Sequence, residues 1–224
     1  MFLIPSMQVV PTLNQDYPDW HQGRQHYALW YIEIQDPELL AYLSALRAQF
    51  SDLLYTPNTR QFHITVFICG FIEELNKAQL IDDSEQRWND NFSADELALH
   101  QQQLRQLSLS NIRLRTGQIN SFQSALFIEI VDLERKLEHL RQALNLTSNE
   151  IAPIEYCPHI TLGLYKQAWY SDDIFERIQR IEQHSFDFES EQLTFGHYQA
   201  QVLQGALSPF YQHQFRLNIE MAQS

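Results

Sequence analysis

The sequence lacks the features that mark secreted and membrane-spanning proteins. It has only two cysteines among 224 residues, which argues against a disulfide framework and favours two reduced thiols. No apolar run approaches the roughly 18 residues that a membrane helix needs. The segment after Met1 has no basic region and is interrupted by Pro5, unlike a signal peptide, so we expect a cytoplasmic location. Apolar residues make up 44%, as in ordinary globular proteins.

Positive charge is also scarce. The chain carries 15 Lys and Arg against 28 Asp and Glu, a formal net charge of −13. Proteins that grip long nucleic acids usually present a basic face, because neutralising phosphates drives that binding. Tight binding to long RNA or DNA is therefore not expected, whereas a nucleotide or a short RNA end is compatible with this charge. We expect no membrane partner and a monomer.

Residues 1–25 show no sustained apolar period and contain Pro5, Pro11, Pro18 and Gly23, which predicts an irregular arm. One two-lobed domain is predicted over 26–222. Helical spacing and capping residues predict four helices, and alternating apolar residues predict seven strands. The polar stretch 72–92 is predicted to be a surface excursion. The predicted helices are 37–50, 93–107, 133–144 and 171–181, the last capped by Ser171-Asp172-Asp173. The predicted strands are 27–34, 62–69, 111–119, 124–131, 158–165, 186–195 and 210–219.

Two parts of this pattern repeat. Tyr31-Ile32-Glu33-Ile34 matches Phe127-Ile128-Glu129-Ile130, and the two segments lie 96 positions apart. His63-Ile64-Thr65-Val66 matches His159-Ile160-Thr161-Leu162 at the same spacing of 96. A strand, a helix and a second strand that carries histidine therefore occur twice. The repeat predicts a duplicated lobe folded about a pseudo-two-fold axis.

The repeated His-x-Thr strands are the candidate catalytic elements. Residues two apart in a strand share a face, so His63 projects with Thr65, and His159 with Thr161. Pseudo-symmetry then predicts that the pairs face each other across a groove between the lobes. One imidazole could accept a proton from an attacking water or hydroxyl while the other protonates the departing oxygen, and both titrate near neutrality without a large shift in pKa. The threonine hydroxyls could bind phosphate oxygens.

The motifs predict neither a metal nor a cofactor. Each strand supplies one imidazole with no carboxylate or thiolate at ligand spacing, and the H-E-x-x-H and C-x-x-C motifs are absent. Near symmetry leaves open which histidine is the base and which the acid. An inactive protein with two core histidines is the alternative, although a polar residue is costly to keep on a buried strand face without a role.

Other residues are weaker candidates for contacting the substrate. Two cations could offset phosphate charge, although exposed surface positions are as common for such residues. Four aromatic residues could stack on a base, although aromatic side chains more often fill cores. The cations are Arg60 and Lys166, and the aromatic residues are Trp30, Phe122, Tyr156 and Tyr165.

At its two motifs the sequence resembles the two-histidine phosphoesterase superfamily. That superfamily includes bacterial RNA 2′,3′-cyclic phosphodiesterases, long called 2′-5′ RNA ligases. The resemblance rests on the segments 60–71 and 157–163, including Gly70-Phe71 after the first strand and Pro158 before the second histidine, and extends over about 26–220. It implies an α+β fold of two pseudo-symmetric lobes, with antiparallel sheets and outer helices around a central cleft. It also implies acid/base roles for His63 and His159. Many members have a basic residue after the second motif, where this chain has Gly163-Leu164-Tyr165-Lys166.

These observations predict a metal-independent phosphodiesterase. The expected reaction is hydrolysis of a 2′,3′-cyclic or 2′-5′-linked phosphodiester in a nucleotide or RNA end. Two alternatives stay open: RNA end joining by the reverse reaction, and a nucleotide-binding protein of the same fold without turnover.

Overall fold

The computed structural model describes residues 1–13, 15, 17–73, 89–151 and 155–216. It contains a short first helix and four longer ones packed on a nine-stranded sheet, in agreement with the expected α+β class. The helices are α1 (Pro18–His21), α2 (Pro37–Gln49), α3 (Ala94–Gln106), α4 (Lys136–Asn145) and α5 (Ser171–Gln179). The strands are β1 (His26–Glu33), β2 (His63–Ile72), β3 (Asn91–Phe92), β4 (Ile112–Ser121), β5 (Ala125–Asp132), β6 (His159–Leu164), β7 (Asp187–Ser190), β8 (Gln192–Gln199) and β9 (Ser208–Gln214).

The sheet has the pseudo-symmetry that the repeat predicts. Its strand order is β7-β4-β5-β6-β2-β1-β8-β9, with β3 paired to β2. All neighbours on the main path are antiparallel, and only the β2–β3 pair is parallel. The sheet therefore divides into two four-stranded halves: lobe 1 is β2-β1-β8-β9 and lobe 2 is β6-β5-β4-β7. The two His-bearing strands meet at the centre.

One predicted strand, 186–195, is in fact two. It breaks at Glu191, so that β7 pairs with β4 in lobe 2 while β8 pairs with β1 in lobe 1. The Glu191 carbonyl accepts a hydrogen bond from the Phe215 amide (2.8 Å), just past β9. Because one residue joins strands from opposite halves, the sheet must curl. A parallel bridge between Ser110 and Arg216 ties the two edges together.

The two faces of the sheet differ. One face, the helix face, packs its apolar side chains with those of α2 to α5 into a continuous core. The opposite face, the open face, has a small separate cluster of Leu29, Tyr31 and Leu207. Alternation along β1 assigns its side chains to these faces: Trp30 and Ile32 belong to the core, whereas Leu29 and Tyr31 do not. Trp30 is fully buried and donates to the His100 Nδ1 atom (3.0 Å), so it is not available to stack on a substrate.

Side-chain hydrogen bonds to backbone amides position the first turns of three helices. Asp36 accepts from the Leu39 amide (2.8 Å) at the start of α2, and Ser93 with Glu96 forms the predicted capping box of α3. Helix α4 begins at Lys136 rather than near 133, because Arg135 is left-handed (φ 55°) and Asp132 accepts from the Leu137 amide.

The predicted cap of α5 is wrong, and its residues bind the N-terminal arm instead. Tyr170 is the N-cap and makes no side-chain cap. The Ser171 hydroxyl accepts from the Met7 amide, and the Asp172 carboxylate accepts from the Ser6 amide, both at 3.0 Å. Beyond that, the arm is irregular apart from α1 and single bridges.

The surface excursion predicted over 72–92 falls mostly at 74–88, outside the described residues. Its described end forms β3, which extends the sheet beside Phe71 and Ile72. Across the described ranges, no helix is both long and apolar enough to span a membrane. Both cysteines are free, with Cys69 buried and Cys157 partly so.

Candidate active site

The two His-x-Thr motifs lie side by side at the centre of the sheet. Strands β2 and β6 are antiparallel neighbours, and Ile64 pairs with Ile160, the middle residue of each motif. Antiparallel neighbours run in opposite directions from that pair, so His63 lies beside Thr161 and His159 beside Thr65. The two lobes therefore meet at the seam between β2 and β6 within one continuous curled sheet. All four side chains share its open face, opposite the buried isoleucines.

Each imidazole is fixed in the same way by its own strand. The His63 Nδ1 atom is 2.8 Å from the Gln61 carbonyl oxygen, and the His159 Nδ1 atom is 2.7 Å from the Cys157 carbonyl oxygen. A carbonyl oxygen can only accept, so Nδ1 carries the proton in both rings. Nε2 is then the basic nitrogen of each neutral ring and is the atom left to exchange a proton with a ligand.

The protonation of the two rings departs from the expected neutral range. The pKa of His63 is lowered to about 4, chiefly by burial and also by the positive charges of Arg60 and His159, against the Gln61 carbonyl, which raises it. Burial also lowers the pKa of His159, again opposed by its carbonyl partner. Both imidazoles are thus neutral at pH 7 in the free protein. A bound phosphate would favour the charged form and raise both pKa values.

The threonine hydroxyls complete the central group. Thr65 and Thr161 are each half-buried. Among the residues that the structure describes, neither hydroxyl has a hydrogen-bond partner, so both can donate to a ligand. Two basic nitrogens and two hydroxyls on one face suit an anion with several oxygens, such as a phosphate ester.

The surroundings of His63 are polar and cationic. Its ring meets the Tyr31 ring edge to face, with centroids 5.7 Å apart. The Arg60 guanidinium lies 3.9 Å from the centre of the Tyr198 ring and donates through Nε to the Gly205 carbonyl (2.9 Å). The positive charge of Arg60 also contributes to lowering the pKa of His63.

The surroundings of His159 are aromatic and apolar. Phe122 meets the imidazole edge to face at 5.0 Å, and Phe127 is tilted against it at 5.1 Å. The two phenyl rings stack on each other at 4.2 Å. Phe127 is fully buried, whereas Phe122 is only partly so. Of the predicted aromatic contacts, Phe122 is therefore the one that the structure brings to the histidines.

Two predicted aromatic contacts, Tyr165 and Tyr156, and the predicted cation Lys166 lie away from the histidines. Tyr165 is fully buried in the core, where its hydroxyl bonds that of Ser121 (2.7 Å), so it cannot stack on a base. Tyr156 packs against the core and donates to the Thr65 carbonyl (3.0 Å), which braces β2 from behind. Lys166 is exposed, and its charge acts on Asp52.

Sequence reasoning missed four residues that share the open face with the motifs. In the register of β1 and β2, Tyr31 pairs with Thr65 and Glu33 with His63. The register of β5 and β6 repeats this arrangement, with Phe127 opposite Thr161 and Glu129 opposite His159. The signal was present, because these residues belong to the repeated segments quoted above. The residues so placed are Tyr31, Glu33, Phe127 and Glu129.

The positions of the side chains that could ligate a metal ion bear on metal binding at this site. Across the described ranges, no three His, Cys, Asp or Glu side chains are grouped so that they could hold a metal ion.

Comparison with known proteins places this geometry in a family. Residues 35–201 match the family described as the 2′-5′ RNA ligase superfamily. The fold is similar to that of E. coli LigT in its apo form, with a TM-score of 0.55 and 13% identity over 86% of this chain and 98% of that one.

Two further solved structures agree. E. coli LigT complexed with 3′-AMP gives a TM-score of 0.57 and 12% identity, covering 85% of this chain and 98% of that chain. TT0787 of Thermus thermophilus gives 0.54 and 12%, covering 86% and 99%. At such low identity these likenesses show the fold alone. No curated protein matched the sequence.

Proposed function

The chain belongs to the 2′-5′ RNA ligase superfamily, and on that premise we propose that it is a metal-independent phosphodiesterase. Its substrate in this proposal is a 2′,3′-cyclic or 2′-5′-linked phosphodiester of a nucleotide or RNA end. The observation that carries the proposal is the pair of imidazoles on neighbouring strands, both held by their Nδ1 protons so that Nε2 is presented to a ligand.

The reaction needs one proton moved at each end of the phosphate. A neutral imidazole takes a proton from water as the water oxygen bonds to phosphorus. The bond from phosphorus to one ribose oxygen breaks, and the other imidazole, protonated when the anionic ester is bound, gives its proton to that oxygen. From a cyclic ester the product is a phosphate monoester with a free neighbouring hydroxyl, and from a 2′-5′ linkage the departing oxygen becomes a hydroxyl of the released nucleoside. Thr65, Thr161 and Arg60 stabilise the charge on the non-bridging oxygens.

Substrate size follows from charge. A net charge of −13 disfavours long nucleic acids, while Arg60 supplies local positive charge beside His63. The complex of the similar fold E. coli LigT with 3′-AMP supports a mononucleotide as a ligand of suitable size.

The test is hydrolysis of a panel of 2′,3′-cyclic nucleotides and 2′-5′-linked dinucleotides with EDTA present. We expect turnover by the native protein and turnover about 10²- to 10⁴-fold slower by His63→Ala or His159→Ala, because each variant loses one of the two proton transfers. Near-native turnover by either variant, or turnover that EDTA abolishes, would contradict the proposal. Nucleotide binding without product at high protein concentration would favour a binding protein instead.

The direction of the reaction is tested by adding a 5′-hydroxyl end to the same assay. End joining is the reverse of transesterification and would use the same imidazoles. Incubation of a 2′,3′-cyclic phosphate end with a 5′-hydroxyl end would then yield a 2′-5′ linkage. We expect hydrolysis to dominate, since water is in vast excess over a second RNA end.

A further inference from the structure

The N-terminal arm brings a third phenyl ring to the aromatic side of the site. The Phe2 ring lies 5.2 Å from that of Phe122 and 6.0 Å from that of Phe127. Since both of these rings contact His159, the three phenylalanines form a continuous aromatic cluster that leads away from the imidazole, with Phe127 buried and with Phe122 and Phe2 partly exposed. We call Phe2, Phe122 and Phe127 the aromatic row.

Backbone hydrogen bonds fix the place of Phe2 in this row. The Leu3 amide donates to the Ser121 carbonyl (2.8 Å), and the Gln123 amide donates to the Met1 carbonyl (3.1 Å). These bonds form an antiparallel bridge between Phe2 and Phe122. Consecutive residues in an extended segment point to opposite faces: Leu3 is buried in the core at 4% exposure, while Phe2 is on the other side.

The exposure of Phe2 shows what the ring can still do. It remains 44% exposed, so part of its surface is free to contact a ligand that enters from solvent. A flat aromatic ring next to a phosphate-binding centre is a stacking surface for a nucleobase, which has a π-face whatever its identity.

We propose that Phe2 is a specificity-determining residue: it extends the aromatic row so that a substrate stacks its base on lobe 2 while its phosphate lies between His63 and His159. This inference rests on the proposed function, because it assumes a nucleotide ligand at the same site. It assigns to the arm the selection of nucleotides over phosphate esters that have no base.

At the positions of lobe 1 that correspond to Phe122 and Phe127, the chain has no phenylalanine. By the spacing of 96, the counterparts of Phe122 and Phe127 are His26 and Tyr31. Tyr31 is fully buried, and the His26 ring contacts that of His197 with centroids 4.8 Å apart. Phe2 lies outside the residues that match the family, 35–201. The aromatic row therefore gives the near-symmetric site one preferred direction for the substrate.

Binding of two ligands that differ only in the base tests this inference. The probes are 3′-AMP and ribose 3-phosphate, titrated by calorimetry into the full chain with any purification tag placed after the last residue, so that nothing precedes Met1. We expect Phe2→Ala to weaken 3′-AMP binding at least about fivefold, the lower end for loss of one stacking ring, and to leave ribose 3-phosphate binding unchanged. Phe2→Tyr should bind both ligands like the native chain.

Two further variants separate stacking from the folding of the arm. Phe2→Leu keeps an apolar side chain against Phe122 and should still lose 3′-AMP affinity. Ile4→Ala removes another exposed apolar side chain of the arm, 56% exposed, and should bind like the native chain. Equal weakening of both probes by Phe2→Ala, or no weakening of 3′-AMP, would overturn the inference.

The stacking role of Phe2 and the proposed reaction can fail separately. A native chain that binds 3′-AMP through Phe2 but hydrolyses no cyclic or 2′-5′-linked ester would refute the proposed reaction and support the stacking role. Turnover of cyclic nucleotides with equal efficiency by native and Phe2→Ala chains would support the proposed reaction and refute the stacking role. Failure of the native chain to bind 3′-AMP would overturn the stacking role as well.

Discussion

Lobe 1 and lobe 2 place their histidines alike and surround them differently. In both, the histidine begins the central strand, its Nδ1 proton is bound by the carbonyl two residues earlier, and a glutamate stands opposite it. Around His63, however, are a buried tyrosine and Arg60, whereas around His159 are the phenyl rings of Phe122 and Phe127.

The comparison separates the residues that the two lobes share from those that occur in only one lobe. Residues related by the spacing of 96, Gln61 and Cys157, hold the two imidazoles in place. Arg60 has Tyr156 as its counterpart, and Tyr156 serves the core rather than the open face. We infer that the shared parts perform the reaction and that the unshared parts orient the substrate.

The strongest way to break the comparison is to remove each histidine in turn. His63→Ala and His159→Ala should each lower kcat about 10²- to 10⁴-fold, because each removes one proton transfer. The double variant should lose little more, since the two groups act in one step. Steady-state kinetics on a 2′,3′-cyclic nucleotide measures this, with His139→Ala, at an exposed helix position, as the control. Near-native kcat in one single variant would show that the lobes are not equivalent.

The threonines test the same equivalence at a smaller scale. Thr65→Val and Thr161→Val keep the shape of the side chain and remove one hydrogen-bond donor to the phosphate. Each should lower kcat by about 10²-fold, the loss typical of one donor to a developing anion. Thr65→Ser and Thr161→Ser restore the hydroxyl and should recover most of the rate. A valine variant with native kcat would remove that threonine from the reaction.

Arg60 supplies a positive charge near His63, and the equivalent position of the second lobe holds Tyr156 instead. Arg60→Gln should raise KM about five- to tenfold, through loss of a charge-assisted contact with the phosphate. It should also raise the pKa of His63, which the Arg60 charge now lowers. If His63 is the base, it must be neutral to act, so the acid limb of the kcat/KM profile should move to higher pH.

Lys166→Gln is the matched control, because it removes an exposed cation that lies away from the histidines, and its profile should stay native. A shift of the alkaline limb in Arg60→Gln would instead assign His63 as the acid. An unchanged profile would mean that Arg60 does not act on the imidazole.

The smallest effect concerns stability rather than rate. The pKa of folded His63 is about 4, below the ordinary value near 6.5. As pH falls below about 6.5, the unfolded chain takes up this proton first, so the native state loses stability between roughly pH 6.5 and 4. From pH 7 to 5, His63→Ala should lose about 1–2 kcal/mol less of its free energy of unfolding than the native chain.

Urea unfolding at several pH values measures this difference. His100, whose pKa burial also lowers to about 4, is present in both chains, so its contribution cancels. His139→Ala should follow the native curve. Parallel curves for native and His63→Ala would show that His63 is not held neutral by the fold.

Much of the central site was predictable because local patterns specify it. Period-two alternation placed His63 with Thr65 and His159 with Thr161 on one face, and the spacing of 96 indicated that the two strands occupy equivalent positions. The same repeat contained Tyr31 and Phe127, although their part in the site emerged only from the strand register. The α+β class, antiparallel sheet and family are confirmed. The roles of the site residues, the cytoplasmic location and the monomeric state stay predictions.

The remainder depends on contacts between distant segments, which no local pattern specifies. Ser171 and Asp172 have the composition of a helix cap, but their acceptors are used by the amides of Met7 and Ser6. Tyr165 follows the second motif closely, yet the hydroxyl of Ser121 holds it in the core. Phe2 gave no signal at all, because its position is set by backbone bonds to a turn 120 residues away.

The bonds from Nδ1 to the strand carbonyls also constrain what happens between turnovers. With Nδ1 fixed as a donor in both rings, each histidine has a single nitrogen through which protons can pass. In the proposed hydrolysis, the former base ends charged and the former acid ends neutral, so the pair finishes each cycle inverted. The protein must then reset through solvent, or use a second substrate bound in the opposite sense. If the aromatic row fixes one binding direction, only the reset through solvent remains, and recovery of the starting protonation state becomes a step that buffer concentration can accelerate.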